Sequence, residues 1–297
     1  MASFSTFDTL LDRVSAGGRL SADELAALAD APDILPLGML ADALRRRLRG
    51  TRVTYLRVAS CACDRSFADA VAPAAHEVRL TGVPATLDVA VAAVRSARAV
   101  AGDRTVAGFT WSDIDRIASA KGGGVSRALE ELRAAGLDAI SELPLDLIPD
   151  SVIGLVSKTG FHQLRLTIES ASAAERLGLF ARAAVLQAAH GCIETLNPLP
   201  TLLQAFRPTT GYADVKAVAL ARLTAPEIPS IQVDWSRYGP KLAQVALTFG
   251  ADDLDAVTAA DDAPDGHRRA PIEEVRRNIE AAGFSPAERD GRFTVLA

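Results

Sequence analysis

The segment Ile231 to Val257, IQVDWSRYGPKLAQVALTFGADDLDAV, constrains this chain more than any other. Ile231, Gln232, Val233, Asp234 and Trp235 alternate apolar with polar, the period of a buried strand that ends in polar groups. Gly239 and Pro240 punctuate it. A proline suits the first turn of a helix, because its ring presets φ and its missing N–H would have no intrahelical partner there. Leu242, Val245, Ala246 and Phe249 then share one helical face from Lys241 to Phe249, and Gly250 marks the stop. Asp252–Asp255 reads as an acidic loop. A strand whose polar end runs directly into a helix is the repeat of a βα barrel, in which chemistry collects at the C-terminal strand ends.

The same rhythm runs through the rest of the chain. Val53–Ala59, His76–Gly82, Arg104–Thr110, Asp138–Pro144, Gln163–Glu169 and Cys192–Pro198 are predicted strands. Helical segments such as Leu87–Ala101, Val125–Ala135, Ala173–His190 and Tyr212–Leu223 separate them and are long enough for parallel crossovers. Residues 4–49 predict helices, one opening on a capping box of Ser21 and Glu24. Gly122–Gly124 reads as an inter-helix hinge, since no Gly-Lys-Ser/Thr ending follows to make a phosphate loop. Residues 260–271 read as a surface linker, Ile272–Ala282 as a charged helix and Arg292–Ala297 as a short last strand. The expectation is an α/β fold: a TIM-like βα barrel, partial and open. A helical lead-in over 1–50 precedes the barrel over 51–258, and an αβ extension over 259–297 packs on it.

The 297 residues, 49% of them hydrophobic, suffice for such a barrel and its terminal helices. A net charge of −5 and no basic face interleaved with aromatics argue against nucleic-acid binding. No apolar run is long enough to span a membrane. Asp8 and Asp12 in a start that lacks a basic n-region argue against a secretory signal. Cys61, Cys63 and Cys192 are too few for a disulfide framework and suit a reducing cytoplasm. Arg45–Arg47 sits at a helix end, where it complements the dipole.

The run YGPKLAQVALTFGADDLD resembles the C-terminal signature of aminofutalosine synthase. This is a radical S-adenosylmethionine (SAM) enzyme of the futalosine route to menaquinone. The run is also similar to that of the related dehypoxanthine futalosine cyclase and of the deazaflavin-forming enzymes of cofactor F420 synthesis. GRLSADELAALADAPDILPLGMLADALRRRLRG resembles the group's helical lead-in. The resemblance implies a [4Fe-4S] cluster held by CxxxCxxC after the first strand, with SAM chelated at its open iron.

Here that loop reads RVASCACDRSFADAV, with Cys61 and Cys63 two apart. The group's Gly-Gly-x-x-Pro loop corresponds to Thr81–Pro84, with one glycine, and its glycine triplet falls on Glu142–Asp146. Leu and Pro fill the space that glycines leave open to a ligand. These departures give an expectation of no cofactor and no metal site: a pseudoenzyme that acts by binding. The candidate partners are an intact radical SAM synthase of the menaquinone pathway or a futalosine-like or chorismate-derived ligand. An active radical SAM enzyme with irregular ligation, or a cluster-free barrel lyase, is the alternative.

Candidate ligand-binding residues are Glu142, Asp146, Glu169, Asn197, Asp234 and Trp235, all near presumptive C-terminal strand ends. Glu142 and Glu169 read as an acid/base pair or, preferred, as partners of loop arginines such as Arg165 or Arg207. Lys241 and Gln244 are candidates for a partner surface, with no catalytic residue assigned.

Overall fold

The computed structural model describes residues 4–64, 71–121, 124–202, 210–260 and 272–296. The lead-in is α1 (Phe4–Ser15), α2 (Ala22–Asp30) and α3 (Leu35–Arg49). The capping box forms as read. Ser21 N–H donates to Glu24 Oε2 at 2.8 Å, and Glu24 N–H donates to Ser21 Oγ at 3.2 Å. These bonds satisfy donors that an open helix end would leave bare.

Eight parallel strands follow: β1 (Arg52–Ala62), β2 (Glu77–Thr81), β3 (Thr105–Thr110), β4 (Ala139–Pro144), β5 (Leu164–Ile168), β6 (Ile193–Pro200), β7 (Ser230–Asp234) and β8 (Asp253–Thr258). Each pairs with its neighbour in sequence, and β1 pairs with both β2 and β8. The barrel is therefore closed, not partial and open. The extra length of β1 closes it: its upper half, Val58–Ala62, pairs with β2 while β8 runs along its other side. Crossovers are made by α4 (Leu87–Ala101), α5 (Trp111–Lys121), α6 (Val125–Ala135), α7 (Ser151–Lys158), α8 (Ala173–His190), α9 (Gly211–Thr224) and α10 (Trp235–Thr248). Then α11 (Ile272–Ala281) leads to β9 (Ser285–Arg289).

β9 does more than pack on the barrel. It pairs in parallel with the lower half of β1, Arg52–Leu56, in the slot beneath the start of β2. Arg292–Ala297, read as a strand, forms none among its described residues, and Val295 makes a single bridge to Arg289. The acidic loop is likewise corrected: Asp253–Asp255 opens β8. Asp253 and Asp255 face the lumen while Leu254 joins the core outside, so the polar face points inward and hides the usual strand signature. α10 begins at Trp235, and its kink at Gly239 (φ 75°, ψ 172°) separates the first turn from the run after Pro240.

The apolar core lies between the outer face of the sheet and the helices. It joins Val53, Val78, Leu166, Ile231 and Leu254 of the strands to Ala90, Val218 and Ala246 of the helices. Burying each large aliphatic side chain contributes about 1.5–3 kcal/mol. Arg45 does more than complement a helix dipole. It is wholly buried and donates to the carbonyls of Ala251, Gly50 and Arg52, with the Phe284 ring 3.8 Å from its guanidinium carbon. It thus ties the lead-in to the strand entrances. Among the described residues no helix is long and apolar enough to cross a membrane. Gly122, Gly123, Arg207 and nearly all of the expected linker (261–271) lie outside the described residues.

Candidate functional site

Strand register decides what lines the lumen. Arg165 is level with Thr195, Thr195 with Ser230, Gln232 with Asp253, and Asp234 with Asp255. Residues level in parallel strands point the same way, so these polar groups share the inner face. A barrel interior is usually filled by branched apolar side chains. Here its centre is a network of buried ion pairs.

Glu77 is fully buried and accepts from Arg165 Nη2 at 2.5 Å and Nη1 at 3.1 Å, and from Arg79 Nε at 2.7 Å. Arg79 forks onto Asp255 through two bonds of 2.9 Å. Arg289 of β9 forks onto Asp253 at 2.6 and 2.7 Å, and Gln232 Nε2 and Thr54 Oγ1 donate to the same carboxylate. Burial alone would raise both Glu77 and Asp255. The arginines outweigh it and hold Glu77 below, and Asp255 well below, the ordinary carboxylate range. Sequence reasoning missed this set, although its signal was present as charges at alternate positions within strands: Glu77 and Arg79, Asp253 and Asp255.

Above this network lies the mouth. Asp234 caps α10 by accepting from the Arg237 N–H at 2.8 Å. The Arg237 side chain reaches Asp234 at 3.5 Å and donates to Glu142 Oε1 at 3.1 Å. The expected partners of Glu142 are therefore replaced: Arg165 is held by Glu77 deeper in the lumen, and Arg237 takes its place. Asp146 accepts from the N–H groups of Glu169, Ser170 and Ala171 at 2.8, 2.8 and 3.0 Å, fixing the turn after β5. The half-buried Glu169 side chain makes no hydrogen bond or ion pair among the described residues. Its own desolvation, then Asp146 and Glu142 beside it, raise its pKa. Burial likewise raises Asp234, against the pull of Arg237.

Asn197 is buried, and its Oδ1 accepts from the Leu199 N–H at 3.1 Å. Trp235 is 1% exposed, with its indole N–H unbonded among the described residues, so its ring packs within the core. The structure thus brings Glu142, Asp146, Glu169 and Asp234 together at the C-terminal end of the strands. Lys241 lies exposed and Gln244 half-buried beyond the kink of α10.

The thiols face elsewhere. Cys61 lies within β1, level with Leu80 of β2, and both belong to the helix-facing core. Cys63 packs partly buried against that core, 3.5 Å from where a Cβ on Gly82 would stand. Burial raises both thiols, which disfavours the thiolates a metal needs. Cys192 precedes β6, at the opposite end of the barrel. Among the described residues no three of His, Cys, Asp and Glu converge as a ligand set. The donors described do not by themselves fit a three-thiolate cluster.

Residues 197–296 match the family model of the CofH/MqnC C-terminal region. A 5-amino-6-(D-ribitylamino)uracil–L-tyrosine 4-hydroxyphenyl transferase of Archaeoglobus fulgidus is 27% identical over 71% of each chain. Two Methanosarcina proteins of the same name match over 61% and 56% of their lengths. The cyclic dehypoxanthine futalosine synthase of Streptomyces coelicolor is 25% identical over 94% of this chain and 86% of its own. Methylornithine synthase (PylB) has the same fold, with a TM-score of 0.66 at 16% identity over 94% of this chain and 97% of its own. The chain is a relative of the futalosine and CofH-type radical SAM enzymes, as its C-terminal signature indicated. These matches overturn the expectation of no cofactor, because enzymes of the group they point to normally use a [4Fe-4S] cluster and SAM.

Proposed function

We propose that this barrel holds a polar, ring-bearing metabolite of the futalosine type at its mouth, as a binding or partner subunit in menaquinone biosynthesis. The observation that carries the reading is Glu169. It is a half-buried carboxylate of raised pKa that no described residue engages, beside Glu142 and Asp234, which share one arginine. A carboxylate so placed accepts from ligand hydroxyl, amine or ring N–H groups, or donates when protonated. Asn197 and Asp146 hold the adjoining backbone in place. Lys241 and Gln244 supply part of the surface for a companion synthase.

The test is a thermal-shift screen with futalosine-type nucleosides, 5-amino-6-(D-ribitylamino)uracil and tyrosine. A ligand at 100 times its Kd adds about 2.7 kcal/mol of stability, and Glu169→Ala should abolish that gain. Silence from every compound removes the reading. An active enzyme using the group's cluster and SAM is the second reading, favoured by the relatives' enzymatic names. Anaerobic iron and sulfide reconstitution, with iron counting, EPR and an assay of SAM turnover, decides for it if a stoichiometric, SAM-consuming cluster forms.

A further inference from the structure

A cavity of about 280 Å³ lies outside the barrel, between the lead-in and its wall. Its floor is apolar: Val14 of α1, Leu20 before α2, Leu44 of α3 and Leu223 of α9. Its rim is charged. Arg19 is ion-paired to Glu227, but Arg47 is exposed, has no carboxylate partner among the described residues, and donates only to the Ser15 carbonyl at 3.4 Å. The Arg47 head nonetheless has a defined seat. It lies against Gly17 (φ +88°), where any Cβ would fall 2.6 Å from Nε and Nη2. A side chain at residue 17 would push the guanidinium away from this edge of the apolar pocket.

We propose that this groove binds a small amphipathic carboxylate, its chain on the Val14–Leu223 floor and its carboxylate forked onto Arg47. The volume falls just below the range for small-molecule sites, ~300–1,000 Å³, and suits a slim acid rather than a protein segment. The Arg–carboxylate fork is the strongest pairing open to that head group.

Titration calorimetry with hexanoate and with 1-hexanol, its neutral counterpart, tests the assignment. Hexanoate is expected to bind saturably, and 1-hexanol at least ~10-fold more weakly. Arg47→Gln, a change on an exposed side chain, is expected to weaken hexanoate by ~10-fold with an unchanged Tm. Gly17→Ala should weaken it likewise, by displacing the head group. Leu48→Trp, at a partly exposed position on the same rim, should occlude the groove and abolish binding. The proposal falls if wild-type protein shows no saturable binding, if 1-hexanol binds as tightly as hexanoate, or if Arg47→Gln binds like wild type.

Discussion

Glu77 stands between Arg165 and Arg79 with no access to water, so its charge and theirs depend on each other. Glu77→Gln would leave buried guanidinium charge uncompensated, at an expected loss of about 3–5 kcal/mol in urea unfolding. Replacing Glu77 and Arg165 together by methionines should cost clearly less, because no orphan charge remains. The sign of the pH dependence follows from the same pairs. Glu77 and Asp255 are held below the ordinary range, so their contribution is full above about pH 5 and drains away as pH falls toward their folded values. The urea midpoint should therefore drop on acidification from about pH 5 to pH 3, less steeply in Asp255→Asn. Glu169 has the opposite sign. Its raised pKa makes the charged form costly, so Glu169→Gln should gain stability relative to wild type as pH rises above about 5. Glu142, Glu169 and Asp234 could be placed near C-terminal strand ends from sequence because their strands were readable. Finding the partner of Glu142 and Asp234 was not possible, because Arg237 lies in a first helical turn that the reading placed before the helix began.

At the scale of elements, the anchor strand β7 and helices such as α8 were legible because their apolar residues follow one period. β8 and β9 were not. Their inward faces are charged and their outward faces short, so composition resembles a loop until the partner arginines and carboxylates are in view. Two glycines test these elements. At Gly291 an added Cβ would lie 2.5 Å from Thr105 Cβ and 2.9 Å from Glu77 Oε2. Gly291→Ala should thus cost about 1–3 kcal/mol by overpacking the seat of β9. Gly239→Ala should cost about 1–3 kcal/mol, because φ 75° with ψ 172° is open to glycine alone. Circular dichroism melts of both variants measure these losses, and unchanged melting would remove the geometric argument.

For the molecule as a whole, the alternation of strands and helices announced a barrel, while its closure depended on where β1 ends. The lower half of β1 is shared between β8 and β9, elements about 200 residues further along the chain. A ribosome therefore releases β1 long before its lower partners exist, and local pairing with β2 covers only the upper half. Loop-closure entropy delays such distant pairings, so Arg52–Leu56 waits as an unpaired edge until the C-terminal third has been made. In refolding followed by pulsed hydrogen exchange, amides of Arg52–Leu56 should gain protection in the slowest phase, after those of β4 and β5. An edge held open so long invites pairing with other chains, so the yield of soluble protein should depend on translation speed and chaperone supply more than on the stability of the finished barrel.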